Sequence, residues 1–98
     1  MTTEEVVFTH SPWLAGTRTV GWYGSIHVLH KVVGVSWEEG IDAAMAIAAD
    51  KARVMHGNVV MNMEIACDPY SKGGGLIELT GTVAKMEPLF AGVEVGHP

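Results

Sequence analysis

Between Ser36 and Ile65 the hydrophobic repeat of the sequence changes from helical to strand-like within two residues. Ser36 followed by Glu39 has the spacing of a capping box, in which the hydroxyl accepts from the amide three residues on. Glu38, Glu39 and Asp42 open the run that follows and Lys51 and Arg53 close it, the charge order a helix dipole favours. The spacing predicts a helix over 37–56, ended by Gly57 as the left-handed C′ residue. Trp37, Ile41, Ala44, Met45, Ala48, Ala52 and Met55 share one arc, the stripe that packs on a sheet. Gly40, Ala43, Ile47 and Val54 form a second, shallower stripe. A single helix on a small sheet does not need it, so it is expected to meet another subunit.

Directly after Gly57 the period becomes two. From Asn58 to Cys67, Val59, Met61, Met63, Ile65 and Cys67 alternate with Val60, Asn62, Glu64 and Ala66. From Leu76 to Met86, Ile77, Leu79 and Val83 oppose Glu78, Thr80 and Thr82. Asp68 to Gly75 joins these strands by a connection longer than a two-residue turn. Upstream, residues 17–33 have the Thr, Val and aromatic content of a strand. Val20, Trp22, Ile26 and Val28 fall on one face, and Thr19, Tyr23, Ser25 and His27 on the other. Gly21 and Gly24 mark a bulge or a close approach, and a bend at Gly24 would exchange the faces beyond it. Val6 to Phe8 has the composition of a short edge strand, inside a segment, 1–16, that Pro12 and Gly16 punctuate as irregular. The expected fold is α+β with β-α-β-β order: a three-stranded antiparallel sheet with one helix on one face. It occupies one domain over 1–86, with a tail over 87–98. The helix covers the apolar face; Tyr23, Ser25, His27, Asn62, Glu64, Glu78, Thr80 and Thr82 take the other.

Composition limits what such a domain does. The chain has 98 residues, 48% of them hydrophobic. A domain this short buries only about 60–65% of its unfolded surface, so the apolar excess points to covering by further copies. The net charge of −5, with six scattered basic residues, excludes the Lys/Arg-rich face that nucleic acid requires. Cys67 is the single cysteine, which precludes an internal disulfide and fits a reducing compartment. Met1 to Glu5 lacks the positive start of a signal peptide, and no apolar run approaches the roughly 20 residues of a membrane helix. A cytoplasmic protein without a membrane partner is expected.

Two resemblances follow from quoted motifs. Val32-Val33-Gly34-x-Ser36-Trp37-Glu38-Glu39, opening an Ala-rich helix, resembles the dodecins, small flavin-binding oligomers, over about 20 residues. A broader resemblance is to the YbjQ-like family. Its opening is matched by Thr9-x-x-Pro12-x-Leu14-x-Gly16 and Val20-x-x-x-Gly24-x-Ile26. Its helix end is matched by Ala48-x-x-Lys51-Ala52-x-x-x-x-Gly57-Asn58-Val59-Val60, and its closing strand by Gly81-Thr82-Val83-Ala84-Lys85. The segment between first strand and helix is shorter than the family's. The resemblance implies a dodecin-subunit-like fold assembled into a ring oligomer, a pentamer, with no established activity and a conjectural link to heavy metals.

Candidate chemistry is sparse. For a metal, His27 with Glu64 and Glu78 on the polar face is the best group, because no i, i+4 histidine pair and no second thiol exist. The remaining histidines are His10, His30, His56 and His97. For a small anionic or nucleotide-like ligand, Trp22 and Tyr23 offer stacking surfaces and His27, Asn62 and Glu64 offer polar groups. Lys72, beside Gly73 to Gly75, offers a charge and backbone amides, without the spacing of a phosphate-binding loop. No cofactor is indicated. Cys67 ends an apolar strand face and reads as a small buried hydrophobe. Nucleophile, base and orienting group do not assemble, so the expected role is non-catalytic: a homo-oligomer holding a small ligand or ion, or a scaffold with no ligand.

Overall fold

The structure, a computed structural model, describes residues 5–89. These form β1 (Val7–Phe8), β2 (Thr17–Val32), α1 (Trp37–Val54), β3 (Val59–Pro69) and β4 (Gly75–Pro88). One sheet holds all four strands in the order β1-β3-β4-β2. β1 runs parallel to β3, with Val7 opposite Val59 and Phe8 opposite Val60, and the other two pairings are antiparallel. The three-stranded antiparallel sheet expected from the sequence is therefore corrected to a four-stranded mixed one. Two residues cannot display a period, and the partner of β1 lies far along the chain. That is why its place in the sheet was not legible. The structure contains one chain, so the ring expected with that sheet is not shown by it. Residues 87 and 88 belong to β4 rather than to a tail; the rest of the expected tail, from Phe90 on, and His97 lie outside the described residues.

α1 begins as its sequence directs. Ser36 is extended, and its hydroxyl accepts from the Glu39 amide at 3.1 Å, satisfying a donor that the first turn leaves free. Its end differs from expectation. The helix stops at Val54, and His56, not Gly57, is left-handed, with φ at 67°. The Gly57 amide donates to the Ala52 carbonyl and the His56 amide to the Arg53 carbonyl, both at 2.9 Å, the paired bonds of a Schellman closure. Gly57 is required for closeness instead: a Cβ there would run into the Val83 side chain and sit 3.0 Å from the Ala84 carbonyl oxygen.

α1 lies over β2 and β4 and barely reaches β3. Ile26, Val28, Val32, Ile77, Leu79 and Val83 pack beneath its alanine stripe, joined by Val60 and Met63 of β3. Gly40 is part of this contact, since a Cβ on it would lie 2.6 Å from Val32 Cγ2. It does not belong to the second stripe, of which Ile47 and Val54 are exposed. On the opposite, open face Val59, Met61, Ala84 and Met86 form a smaller cluster, covered by Val7 and Leu14.

Val59 and Met61 thus face away from the helix and Met63 and Ile65 toward it, although all four were expected on one face. Between Met61 and Glu64, β3 carries one residue more than β4, and Asn62 there has φ of 52°. Such a bulge advances the two-residue period by one, so every later side chain changes sides. β2 has two irregularities of the same kind, between Thr19 and Gly21 and between Trp22 and Gly24. The second makes the exchange at Gly24 real: Trp22 stands opposite Ala84 of the open face, whereas Ile26 and Val28 are buried under α1.

The joint between helix and strand is tied down by Asn58. Its Nδ2 donates to the Met86 carbonyl at 2.9 Å, and its Oδ1 accepts from the Met86 amide at 2.8 Å. The side chain thereby extends the β3–β4 ladder by one step beyond the backbone. Asn58→Ala strands both Met86 groups in a half-buried site and is expected to cost about 1–3 kcal/mol. A shift of the urea midpoint to lower concentration at constant slope checks this.

Candidate functional site

The open face of the sheet is concave where the bulge sits. Ser25 and His27 from β2, Asn62 and Glu64 from β3, and Thr80 and Thr82 from β4 surround a depression of about 480 Å³, with Ile26 and Gly81 between them. The register brings them together. Thr80 lies between His27 and Glu64, and Thr82 between Ser25 and Met61. Gly81 permits the approach of the neighbouring strand, because a Cβ on it would lie 2.5 Å from Val60 Cγ1 and 3.3 Å from the Met61 carbonyl oxygen.

Backbone geometry at the bulge is held from outside the sheet. The Asn62 amide donates to the Ser11 carbonyl at 3.1 Å and the Met63 amide to the Thr9 carbonyl at 3.0 Å. His10 donates from Nδ1 to the Met63 carbonyl at 2.6 Å. The irregular segment before β2 thus clamps the extra residue of β3. Sequence reasoning missed this role of Thr9, His10 and Ser11. The only signal was His10 itself, a polar side chain placed among residues with no strand pattern.

Of the polar groups around the depression, His27 has a protein partner. Its Nε2 donates to Glu78 Oε2 at 2.8 Å, with both side chains about half exposed. Glu78 stands opposite Leu29 on β2 and Ala66 on β3, outside the lining, and orients the imidazole. Among the described residues, the side chains of Ser25, Asn62, Glu64, Thr80 and Thr82 have no hydrogen-bond partner. Three hydroxyls, an amide, a carboxylate and an imidazole therefore converge with most of their donors and acceptors unused by the protein.

The other expected site residues are distributed differently. Trp22 stands opposite Ala84, beyond the lining, and is 59% exposed. Tyr23 lies at the β2 irregularity, its ring beside its own strand at Gly21. Lys72 is at the tip of the β3–β4 hairpin, where Tyr70 donates to the Gly74 carbonyl and Gly73 and Gly74 have positive φ. It is remote from the depression. His27 and Glu78 meet, but Glu64 does not complete a set with them: among the described residues no three His, Cys, Asp or Glu side chains are placed to hold a metal ion. Cys67 is exposed rather than buried, because α1 does not extend over the far half of β3.

A second depression, of about 500 Å³, lies on the other side of β2. Ser25, Ile26 and His27 line it together with Ile47, Asp50, Lys51, Val54 and Met55 of the helix side. The two concavities meet across the outer edge of β2. Among the described residues no helix is long and apolar enough to cross a membrane.

The chain is similar in fold to a DUF74-family protein of unknown function. That protein, from Pediococcus pentosaceus, matches with a TM-score of 0.65 at 13% identity, over 84% of this chain and 98% of its own. A likeness at this identity establishes the fold alone. No protein-family model matches the sequence, and no curated protein matches it.

Proposed function

We propose that this chain is a non-catalytic, homo-oligomeric binding protein of the YbjQ-like kind, with five copies the expected number, that holds a small polar ligand on the open face of its sheet. The observation that carries this reading is the bulge at Asn62. It places a left-handed, non-glycine residue in the middle of a strand, and gathers around Asn62 four further side chains, Ser25, Glu64, Thr80 and Thr82, that like it have no hydrogen-bond partner among the described residues. Backbone in a sparsely populated region persists only where its surroundings over-determine it, and here the clamp from Thr9 to Ser11 does so.

Among the described residues the lining contains Glu64 and no Lys or Arg. It is therefore matched to a neutral or cationic ligand rich in hydroxyl or amine groups, and not to the anionic ligand expected from Lys72. Native mass spectrometry of the purified protein tests the reading. The expected result is an oligomer carrying a stoichiometric small adduct, with Glu64→Ala lowering occupancy about tenfold or more, the loss of a charged hydrogen bond. An adduct indifferent to Glu64→Ala would place the ligand elsewhere. An empty oligomer in several preparations would favour the second reading, a scaffold whose surface alone acts. That reading draws on the exposed apolar residues along β2 and α1, including Leu29, Ile47 and Val54.

A further inference from the structure

Among the described residues the sheet has two margins without a further strand partner, and they differ in charge. β2 is the terminal strand, and its last eight residues, Ser25 to Val32, pair with β4 without a register shift. β2 carries Arg18 and Lys31 and no acidic residue. On the other margin, β1 and the segment to Ser11 cover β3 only as far as Met63. From Glu64 to Pro69 the outer edge of β3 has no strand partner among the described residues, and β3 carries Glu64 and Asp68 and no basic residue. A long regular edge with unused amides and carbonyls is a template for another strand.

The apolar surface fits the same pairing. α1 is displaced toward β2, which leaves Cys67, on the helix side of β3, exposed in its own subunit. Ile47 and Val54 line the depression that opens beyond β2, and Val54 is 79% exposed. A strand laid against β2 would meet this apolar flank on the helix side and His27 on the other.

We propose that the free edge of β3 in one copy, Glu64 to Pro69, pairs with the outer edge of β2, Ser25 to Val32, in the next copy. Two different surfaces then meet at each junction, a head-to-tail contact that continues the sheet from subunit to subunit. Lys31 on the β2 segment against Glu64 and Asp68 on the β3 segment favours this pairing over β2 with β2 or β3 with β3, each of which would set like charges together. The neighbour's Glu64 and Asp68 are brought to the rim beside His27, so the ligand site is completed by a second copy. This inference rests on the homo-oligomer proposed above, and not on the ligand.

Cys67 makes the contact directly testable, because it is the chain's single cysteine and lies on the free edge. A second cysteine is introduced in turn at each position from Ser25 to Val33 of the full chain, and the proteins are mildly oxidised. Within one subunit β4 separates Cys67 from β2, so their Cα atoms lie about 10 Å apart, beyond the roughly 4.4–6.8 Å a disulfide spans. The expected result is a ladder of covalent multimers at one or two positions, abolished by Cys67→Ser. Covalent dimers that form in Cys67→Ser would show β2 paired with β2 and overturn the proposal. Absence of a ladder at every position, with the unmodified chain still an oligomer by sedimentation velocity, would overturn this junction while leaving oligomerisation standing. A monomer at micromolar concentration would overturn both.

Discussion

Leu79→Ala is expected to lower the free energy of unfolding by about 3 kcal/mol, read as a lower urea midpoint at unchanged slope. Leu79 is fully buried and stands at the centre of β4, with Val28 opposite it on β2 and Ile65 opposite on β3. The alanine stripe of α1, with Ala44, Ala48 and Ala52 completely buried, lies in the same cluster. Backbone and short side chains on the helix cannot advance to fill the space Leu79 vacates, so the cavity persists and its cost adds to the lost transfer energy. A loss below about 1 kcal/mol would mean that α1 does not pack as described.

Asn62→Val is expected to destabilise the fold and Asn62→Gly to leave it nearly unchanged. Asn tolerates the left-handed region better than most residues, glycine better still, and a β-branched side chain poorly. At φ of 52° valine costs about 1–3 kcal/mol, or forces β3 to lose its bulge and turn Met63 and Ile65 out of the core. Glycine is expected to leave stability within about 1 kcal/mol of the parent. Thermal unfolding of the two variants side by side separates backbone conformation from side-chain chemistry. Equal stabilities would show that Asn62 is not held left-handed.

The same residue explains how far the fold and the site were legible. The capping box at Ser36, the position of α1 and the existence of β2, β3 and β4 follow from local signals, which the sequence displays directly. Face assignments along β3 did not survive past Asn62, because a bulge is a property of two strands and an asparagine in a strand carries no visible mark of it. His56 in place of Gly57 at the helix end has a similar cause. Glycine there serves contact with Val83 and Ala84, a tertiary reason that outranks the local one. The polar face was foreseen in His27, Asn62, Glu64, Thr80 and Thr82, whose alternation is local on each strand. Lys72, Trp22 and Tyr23 were not gathered with them, since stacking and charge motifs say nothing about register. The metal set failed for that reason too: Glu64 and Glu78 sit on adjacent strands but two register steps apart.

Two contacts made at opposite ends of α1 fix its length. Near its start, the Trp37 ring lies against Gly75, where no Cβ fits; just past its end, Gly57 abuts Val83 and Ala84. From Trp37 to Val54 the helix rises about 26 Å, with the closing turn to Gly57 beyond it, and from Gly75 to Ala84 a strand advances about 30 Å. Helix and strand are therefore matched as two rods pinned at both ends. Deleting one residue inside α1 would shorten the upper rod by about 1.5 Å and rotate everything after the deletion by about 100°. Either Trp37 or Gly57 would leave its seat. Length variation in this architecture is consequently confined to the connections, above all the glycine-rich tip between β3 and β4, where an added residue changes neither rod.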